Sequence, residues 1–373
     1  MRVAIVHDWL TNLGGAERVV AAMLEVYPEA DLYTSTYNPQ NLKLFKERAV
    51  HTTFLQHVPL ARKKHQLFAQ LRRLAFEQLD LSGYDVVISS TTAEAKGVIT
   101  SEDTVHISYM NTPTRYYWSH YDEYIKNPGF GLLDPLARWQ LRRTISSSRR
   151  WDFAAAQRPD VVLANSKNVQ ERIRKYYKRD SQVLYPLVDT SRFAQKFPRP
   201  DGLPDRYALV SSRLVPYKRV DIAIKSARQA GIPLYIIGSG SQEKYLRGIA
   251  GETTVFLGQL SDSDMVAYTQ HADVFLFPGE EDFGITPVEA MAAGVPVIAY
   301  GSGGAAETVI DGKTGILLPR QSVSAFASAL MTYRRAEYEA DELFRQAKLF
   351  SVDVFKADLK RIVSQSLKNQ SKA

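Results

Sequence analysis

The feature that most constrains this chain is an alternation repeated along it. Short runs of β-branched apolar residues are followed by a loop and then by a segment of helical periodicity. Residues 3–6, Val-Ala-Ile-Val, leave no polar position to face water, so the run reads as a parallel strand buried on both faces. Gly14 and Gly15 follow, and Ala16 to Tyr27 then places Val19, Val20, Met23, Leu24 and Tyr27 on or near one helix face. Residues 85–89, 105–110 and 161–165 are expected to be further strands, and Ser166 to cap a helix running through Tyr177. The stretch 195–206 holds Pro198, Pro200, Gly202 and Pro204 with little to bury, which makes it a linker by composition. After it the alternation restarts, with strands expected at 207–211, 234–237, 255–257, 273–277 and 295–299. Helices are expected at 220–230, 242–250, 286–293 and from the Ser261 cap to about His271.

Alternation on both sides of a linker predicts an α/β protein of two doubly wound, Rossmann-like domains. Such sheets bind ligands at the carboxyl ends of their strands, so two of them facing each other would hold a ligand in a cleft. The expected division is a first domain over 1–195, a linker over 196–206, a second domain over 207–350, and a C-terminal helix over 351–373 packing back on the first domain.

Composition removes several classes. With 45% hydrophobic and 23% charged residues, the chain as a whole is neither disordered, collagen-like nor coiled coil. The absence of cysteine excludes disulfides, iron–sulfur clusters, zinc ribbons and thiol catalysis, and fits a reducing cytoplasm. No segment reaches the roughly 18 apolar residues of a membrane span. His7 and Asp8 interrupt the opening apolar run too early for a signal peptide, so a cytoplasmic location is expected. The net charge of +7 has three readings: nucleic acid, an anionic membrane surface or an anionic small ligand.

Three local signals carry chemistry. In Gly279 to Tyr300, Glu281 follows a strand and Glu289 lies on the first turns of the next helix, which Pro287 can start. The amides around Phe283, Gly284, Ile285 and Thr286 form an anion-friendly nest at that helix start. One carboxylate can face a polyhydroxyl group and the other a ribose diol; the bland alternative is an exposed loop Glu and a helix-dipole Glu. In the segment 212–219, Arg213 and Lys218 sit at a strand's carboxyl end, where both can reach one diphosphate, or else are merely solvated. Gly14 and Gly15 allow a phosphate or sugar close to a helix start, but match neither GxGxxG nor a P-loop. For metals, the histidines show no HxxxH spacing, and the pair Asp262/Asp264 begins a helix and reads as a cap feature, so no essential metal is expected.

These signals, in this order across a Pro-rich linker, resemble the GT-B glycosyltransferases of family GT4 over nearly the whole chain. SRLVPYKRVD resembles the family's donor-diphosphate motif and EEDFGITPVE its E-x7-E motif. GVPVIAYGSGGAAETVIDGKTGILL resembles the stretch that comes directly after that motif in the family. MRVAIVHDWLTNLGGAERVV, SYMNTPTRYYW and LYPLVDTSRF resemble bacterial mannosyltransferase-like members. The resemblance implies retaining, metal-independent hexose transfer from a nucleotide diphosphate sugar, which is substrate and not cofactor; GDP-mannose is favoured, with a UDP-hexose as alternative. By position it implies that Arg213 and Lys218 hold the diphosphate, Glu281 contacts the sugar hydroxyls and Glu289 the ribose. Gly238, Ser239 and Gly240 would lie beside the nucleotide, and Gly14 and Gly15 would approach the diphosphate from the first domain. One residue departs from the pattern: Asn111 stands where relatives often carry a His that contacts the donor sugar, and Asn can take no proton. Arg115 remains a candidate for an acceptor phosphate or the donor, while His106, inside an expected strand, reads better as structural. A GT-B epimerase and a non-catalytic nucleotide-sugar binder stay open as alternatives.

The charge is uneven. Residues 1–190 hold 25 cations and 20 anions, or +5 of the +7. It concentrates in two acid-free stretches, Arg62, Lys63, Lys64, Arg72 and Arg73, and Arg138, Arg142, Arg143, Arg149 and Arg150. The first is interleaved with Leu67, Phe68, Leu71, Leu74 and Phe76, the second with Trp139, Leu141, Ile145, Trp151 and Phe153. A basic helix with an apolar face suits an anionic membrane surface. The expectation is a lipid-linked glycan acceptor, no nucleic-acid partner, and peripheral binding to the inner face of the cytoplasmic membrane through stretches 62–73 and 138–150.

Overall fold

The computed structural model of the protein describes residues 1–62, 65–126, 129 and 131–371. Two compact units are present, Met1–Pro186 with Phe355–Ala373, and Leu187–Val354.

The first unit is built on a parallel sheet. Its strands are β1 (Val3–His7), β2 (Asp31–Thr34), β3 (Val50–Thr52), β4 (Val86–Thr91), β5 (Val105–Met110), β6 (Val161–Ala164) and β7 (Gln182–Val183). Their spatial order is β3-β2-β1-β4-β5-β6-β7, with every pairing parallel. Every residue of β1, β4 and β5 is buried, which is why these runs show no polar alternation. Helices α1 (Gly15–Val26), α2 (Ala69–Glu77), α3 (Asp134–Ala155) and α4 (Lys167–Tyr177) connect them. Ser166 caps α4, its hydroxyl accepting from the Val169 amide at 3.1 Å. The helix Val352–Gln370 closes this unit from Phe355 onward: Phe355 meets the Tyr109 ring edge-on at 6.1 Å, and Gln370 donates to the Glu102 carbonyl.

The second unit repeats the plan with β8 (Ala208–Ser211), β9 (Leu234–Ile237), β10 (Thr254–Gly258), β11 (Val274–Phe277), β12 (Val297–Tyr300) and β13 (Gly315–Leu318), ordered β10-β9-β8-β11-β12-β13. Val210, Leu234, Ile236 and Ile298 of this sheet pack against Ile222, Ile224, Phe326 and Leu330 of the helices Val220–Ala230 and Val323–Thr332. Helix α5 (Asp262–Gln270) begins at a Ser261 cap, and α6 (Ile285–Ala292) follows β11. In each sheet the winding reverses beside the first strand, between β1 and β4 and between β8 and β11. Loops leaving adjacent strands diverge there, so each unit has a crevice at its strands' carboxyl ends.

The boundary differs from the compositional one. The units divide at Pro186/Leu187, and the proline-rich stretch 196–206 belongs to the second unit. Its Phe197 amide donates to Gln270 Oε1 at 3.0 Å, and its carbonyl lies 3.0 Å from His271 Nε2. The prolines do exclude helix and strand here, but the segment is tied to the end of α5 instead of bridging two domains. Among the described residues, no helix is long and apolar enough to cross a membrane.

Candidate active site

In the second unit the two strongest motifs meet. β8 ends at Ser211, and its loop closes with a short turn at Pro216–Lys218. Arg213 is exposed and donates from Nη2 to the Tyr217 hydroxyl at 2.9 Å. Lys218 forms an ion pair with Glu281, which leaves β11, the neighbour of β8. The β9 loop is pressed onto the same region. Gly238 has φ +122°, and a Cβ there would stand 1.9 Å from the Ser212 carbonyl oxygen, so only glycine fits. Gly240 follows against Leu214.

The stretch after β11 is held by its backbone. The Glu281 carbonyl accepts from the Gly304 amide at 2.8 Å. Gly284, at φ +84°, is the residue before α6, and Ile285 and Thr286 form its half-buried first turn. Pro287 proves to be the third residue of α6 instead of the first; any position in the first turn tolerates a missing N–H. Phe283 is buried, its ring 5.3 Å from that of Phe350, so what it can present to a ligand is backbone and not side chain. Glu289, 13% exposed, pairs with Arg192 at 3.5 Å.

The first unit's candidates rest on charged groups that sequence reasoning missed. Gly14 precedes α1 in an extended conformation, and Gly15 is its first residue. Beneath them lies a buried pair, His7 Nε2 and Glu17 Oε1 at 3.6 Å. Burial alone would depress the His7 imidazole, but the carboxylates of Glu17 and Asp8 and the Ser90 carbonyl outweigh it and raise its pKa. Asp8, buried at the end of β1, accepts from the amides of Thr92, Ala93 and Ala95 at 2.5, 3.0 and 2.8 Å. It thereby fixes the loop after β4. That loop supplies two more buried charges. Glu94 accepts from Arg72 Nε and the Tyr116 hydroxyl, both at 2.7 Å. Lys96 pairs with Asp152 of α3 at 2.6 Å. Asp152 also accepts from Thr114 (2.8 Å), Trp118 Nε1 (2.7 Å) and the Tyr177 hydroxyl (2.7 Å). The segment 111–118 is therefore suspended from two buried carboxylates, Glu94 and Asp152. It presents Asn111, half-buried with long 3.4 Å contacts to Ser90 Oγ and the Thr91 carbonyl, and Arg115, also half-buried.

Burial bears on two more candidates. His106 is fully buried within β5, its Nε2 2.9 Å from Ser89 Oγ, and burial with the Arg158 and Arg179 charges pushes its pKa down to about 3. It is a neutral member of the sheet interior and not a ligand-facing group. In the basic stretch 62–73, Arg72 and Arg73 are buried and turned inward, while Arg62 is exposed. Arg72 is bound to Glu94; Arg73 donates to the Tyr117 hydroxyl at 2.8 Å and lies over the Trp151 ring. Lys63 and Lys64 lie outside the described residues. The stretch 138–150 differs. Arg149 turns inward to the Tyr117 carbonyl at 2.7 Å, but Arg142, Arg143 and Arg150 are exposed, as are Leu136 at 55% and Trp139 at 60%. Among the described residues no group of three or more His, Asp or Glu side chains is gathered as a metal site.

Two doubly wound units, one with paired cation and carboxylate loops at its switch point, define the GT-B class of architecture. Among solved structures, Anabaena Alr3699/HepE in complex with UDP and glucose matches 98% of this chain and 100% of its own, with a TM-score of 0.71 and 18% identity. The family model "Glycosyltransferase Family 4" matches residues 13–192, and "Glycosyl transferases group 1" matches 191–349. The chain belongs to this glycosyltransferase family. It is 34% identical to a GDP-mannose-dependent alpha-(1-6)-phosphatidylinositol monomannoside mannosyltransferase of Mycolicibacterium smegmatis over 54% of this chain. That match spans 57% of the relative, little more than half its length. It is 25% identical to the alpha-1,3/1,6-mannosyltransferase ALG2 of Dictyostelium discoideum over 88% of both chains.

Proposed function

We propose that the protein is a retaining, metal-independent glycosyltransferase that moves mannose from GDP-mannose to a lipid-linked glycan in cell-surface polysaccharide or glycolipid synthesis. The observation that carries the reading is the Lys218–Glu281 pair where the loops of β8 and β11 meet. Departure of a nucleoside diphosphate concentrates negative charge on the leaving oxygens. Arg213 and Lys218 supply the opposing charge from a fixed loop, which is the electrostatic work this chemistry requires. A diphosphate at Lys218 competes with Glu281 for the ammonium, and the freed carboxylate accepts hydrogen bonds from the sugar hydroxyls. Glu289 accepts from the ribose diol, and Arg115 faces the acceptor phosphate or the donor. Attack and departure occur on the same face of the sugar, without a protein nucleophile. Asn111, with no proton to exchange, acts by hydrogen bonding alone.

The mannose and guanine preferences are supported by the two mannosyltransferase relatives, one of which is named as GDP-mannose-dependent. The lipid-linked acceptor is supported by the phosphatidylinositol substrate named for one of them and by the exposed Leu136, Trp139, Arg142 and Arg143 on α3. An aromatic side chain beside exposed arginines suits the headgroup region of an anionic inner-membrane surface. Glu281→Ala tests the core of the reading. Transfer should be lost while nucleoside diphosphate binding persists; retained turnover contradicts the role given to Glu281.

A further inference from the structure

We propose that Arg192 is a positioning residue that orients the Glu289 carboxylate toward the ribose of the nucleotide. The proposal rests on the reading of Glu289 as the ribose-holding group.

Arg192 lies on a short turn, Thr190–Phe193, at the start of the second unit. The turn is anchored at two points. Phe193 is buried, and Gln270 at the end of α5 donates from Nε2 to the carbonyls of Phe193 (3.1 Å) and Gln195 (2.8 Å). From this fixed base the guanidinium reaches two helices. Nη2 donates to Asp262 at the first turn of α5, at 2.9 Å, and Nη1 stands 3.5 Å from Oε1 of Glu289 on α6.

The two ends of the bridge are unequal. Asp262 is 86% exposed, so water and salt screen its share of the interaction. Arg192 and Glu289 are 16% and 13% exposed, and their attraction is screened far less. Arginine stays charged throughout the accessible pH range, and its planar fork fixes direction as well as charge. Asp262 therefore aims the fork, and the fork keeps Glu289 Oε1 turned toward Nη1. A carboxylate restrained in this way accepts charge-assisted hydrogen bonds from the ribose hydroxyls without first giving up rotational freedom. The loops leading into α5 and α6 follow β10 and β11, on opposite sides of β8, so one side chain spans the nucleotide end of the sheet.

The decisive readout is discrimination between ribose and deoxyribose. GDP and its 2′-deoxy and 3′-deoxy counterparts are titrated calorimetrically against wild type, Glu289→Gln, Arg192→Gln, Arg192→Lys and Asp262→Asn, with the UDP series in parallel. Melting of each unliganded variant controls for folding. Wild type should prefer the ribonucleotide by on the order of tenfold for the better hydroxyl, as expected for a hydrogen bond to a charged group. Glu289→Gln should bring this ratio close to one. Arg192→Gln should cut it to below about threefold with unchanged apo melting, Arg192→Lys should fall between, and Asp262→Asn should lower it slightly. A full ratio in Glu289→Gln overturns the ribose reading and the proposal with it. A collapsed ratio in Glu289→Gln beside a full ratio in both Arg192 variants leaves the ribose reading standing and overturns the role of Arg192. If Arg192→Gln melts early, Arg192→Lys decides by the same ratio.

Discussion

The two units share one topology and treat charge in opposite ways. In the second, the candidate charges Arg213, Lys218, Glu281 and Glu289 stand on or close to the surface, each within a few residues of a strand's carboxyl end or on the helix that comes next. In the first, the strongest charges are interior: Asp8, Glu94, Lys96 and Asp152 are each no more than 1% exposed, and each is satisfied by partners from other segments. The second unit keeps its ions near the ends of its strands, where a ligand can reach them. The first uses them to position a loop. A substitution of the same kind should therefore read out as lost activity in one unit and as lost stability in the other.

The largest effect is expected from Asp152→Ala. Removing this carboxylate leaves the Lys96 ammonium buried without its counter-ion and strips Trp118 and Tyr177 of an acceptor. A loss of about 3–5 kcal/mol in unfolding free energy should follow, measurable by denaturant titration. Unchanged stability would break the comparison from the first unit's side. Next comes Lys218→Ala. Withdrawing one preorganised charge from a leaving group costs about 2.7–4 kcal/mol of barrier, so kcat should fall by on the order of 10²–10³ with little change in melting. Lost stability with intact kcat would break it from the other side.

A pH series sharpens the contrast. His106 has its folded pKa pushed down to about 3 from 6.5. Its contribution is present above pH 6.5 and is lost as pH falls through the window from 6.5 towards about 3, because the unfolded chain takes up a proton that the sheet refuses. The slope from one such group reaches about 1.4 kcal/mol per pH unit. His7 works in the reverse sense: its raised pKa favours the folded state below the ordinary value of 6.5 and loses that contribution as pH rises through the folded pKa. Unfolding of His106→Gln should show a flatter acid limb; an unchanged limb would remove His106 from the account. The smallest effect belongs to the exposed face of α3. Arg142→Glu with Arg143→Glu should weaken liposome flotation on anionic vesicles by about 1 kcal/mol per cation removed, and equal flotation would sink the membrane reading.

The same contrast explains what the sequence made legible. Residues that build the second unit's site lie in short local patterns, and neighbouring strands bring two such patterns together. Glu281 and Lys218 could each be placed at a strand's carboxyl end from the rule that parallel sheets bind ligands there, but their ion pair could not be read from the sequence. The alternation of strands and helices could be read because buried parallel strands are uninterrupted apolar runs. β2, with its half-buried sequence Asp-Leu-Tyr-Thr, and the two-residue β7 offered no such run. Glu94 and Asp152 were invisible for another reason. Their partners Arg72, Thr114 and Trp118 are 22, 38 and 34 residues away, and nothing local distinguishes a buried charge from a solvated one. Arg72 and Arg73 of the basic stretch 62–73 are hidden on the same ground, since they carry their charge inward to partners far along the chain. In 138–150 the helical period turns Arg142 and Arg143 outward and Asp152, farther along α3, inward.

The central claim is that the second unit's strand ends hold a nucleoside diphosphate through Arg213 and Lys218. Calorimetric titration of GDP and UDP, with and without a chelator, into wild type and the Arg213→Ala/Lys218→Ala variant tests it directly. The account predicts that GDP binds, that the chelator leaves its affinity unchanged, and that the double variant loses at least about tenfold, the worth of one charge-assisted contact. Absence of binding by both nucleotides, or equal affinity in the double variant, would contradict it.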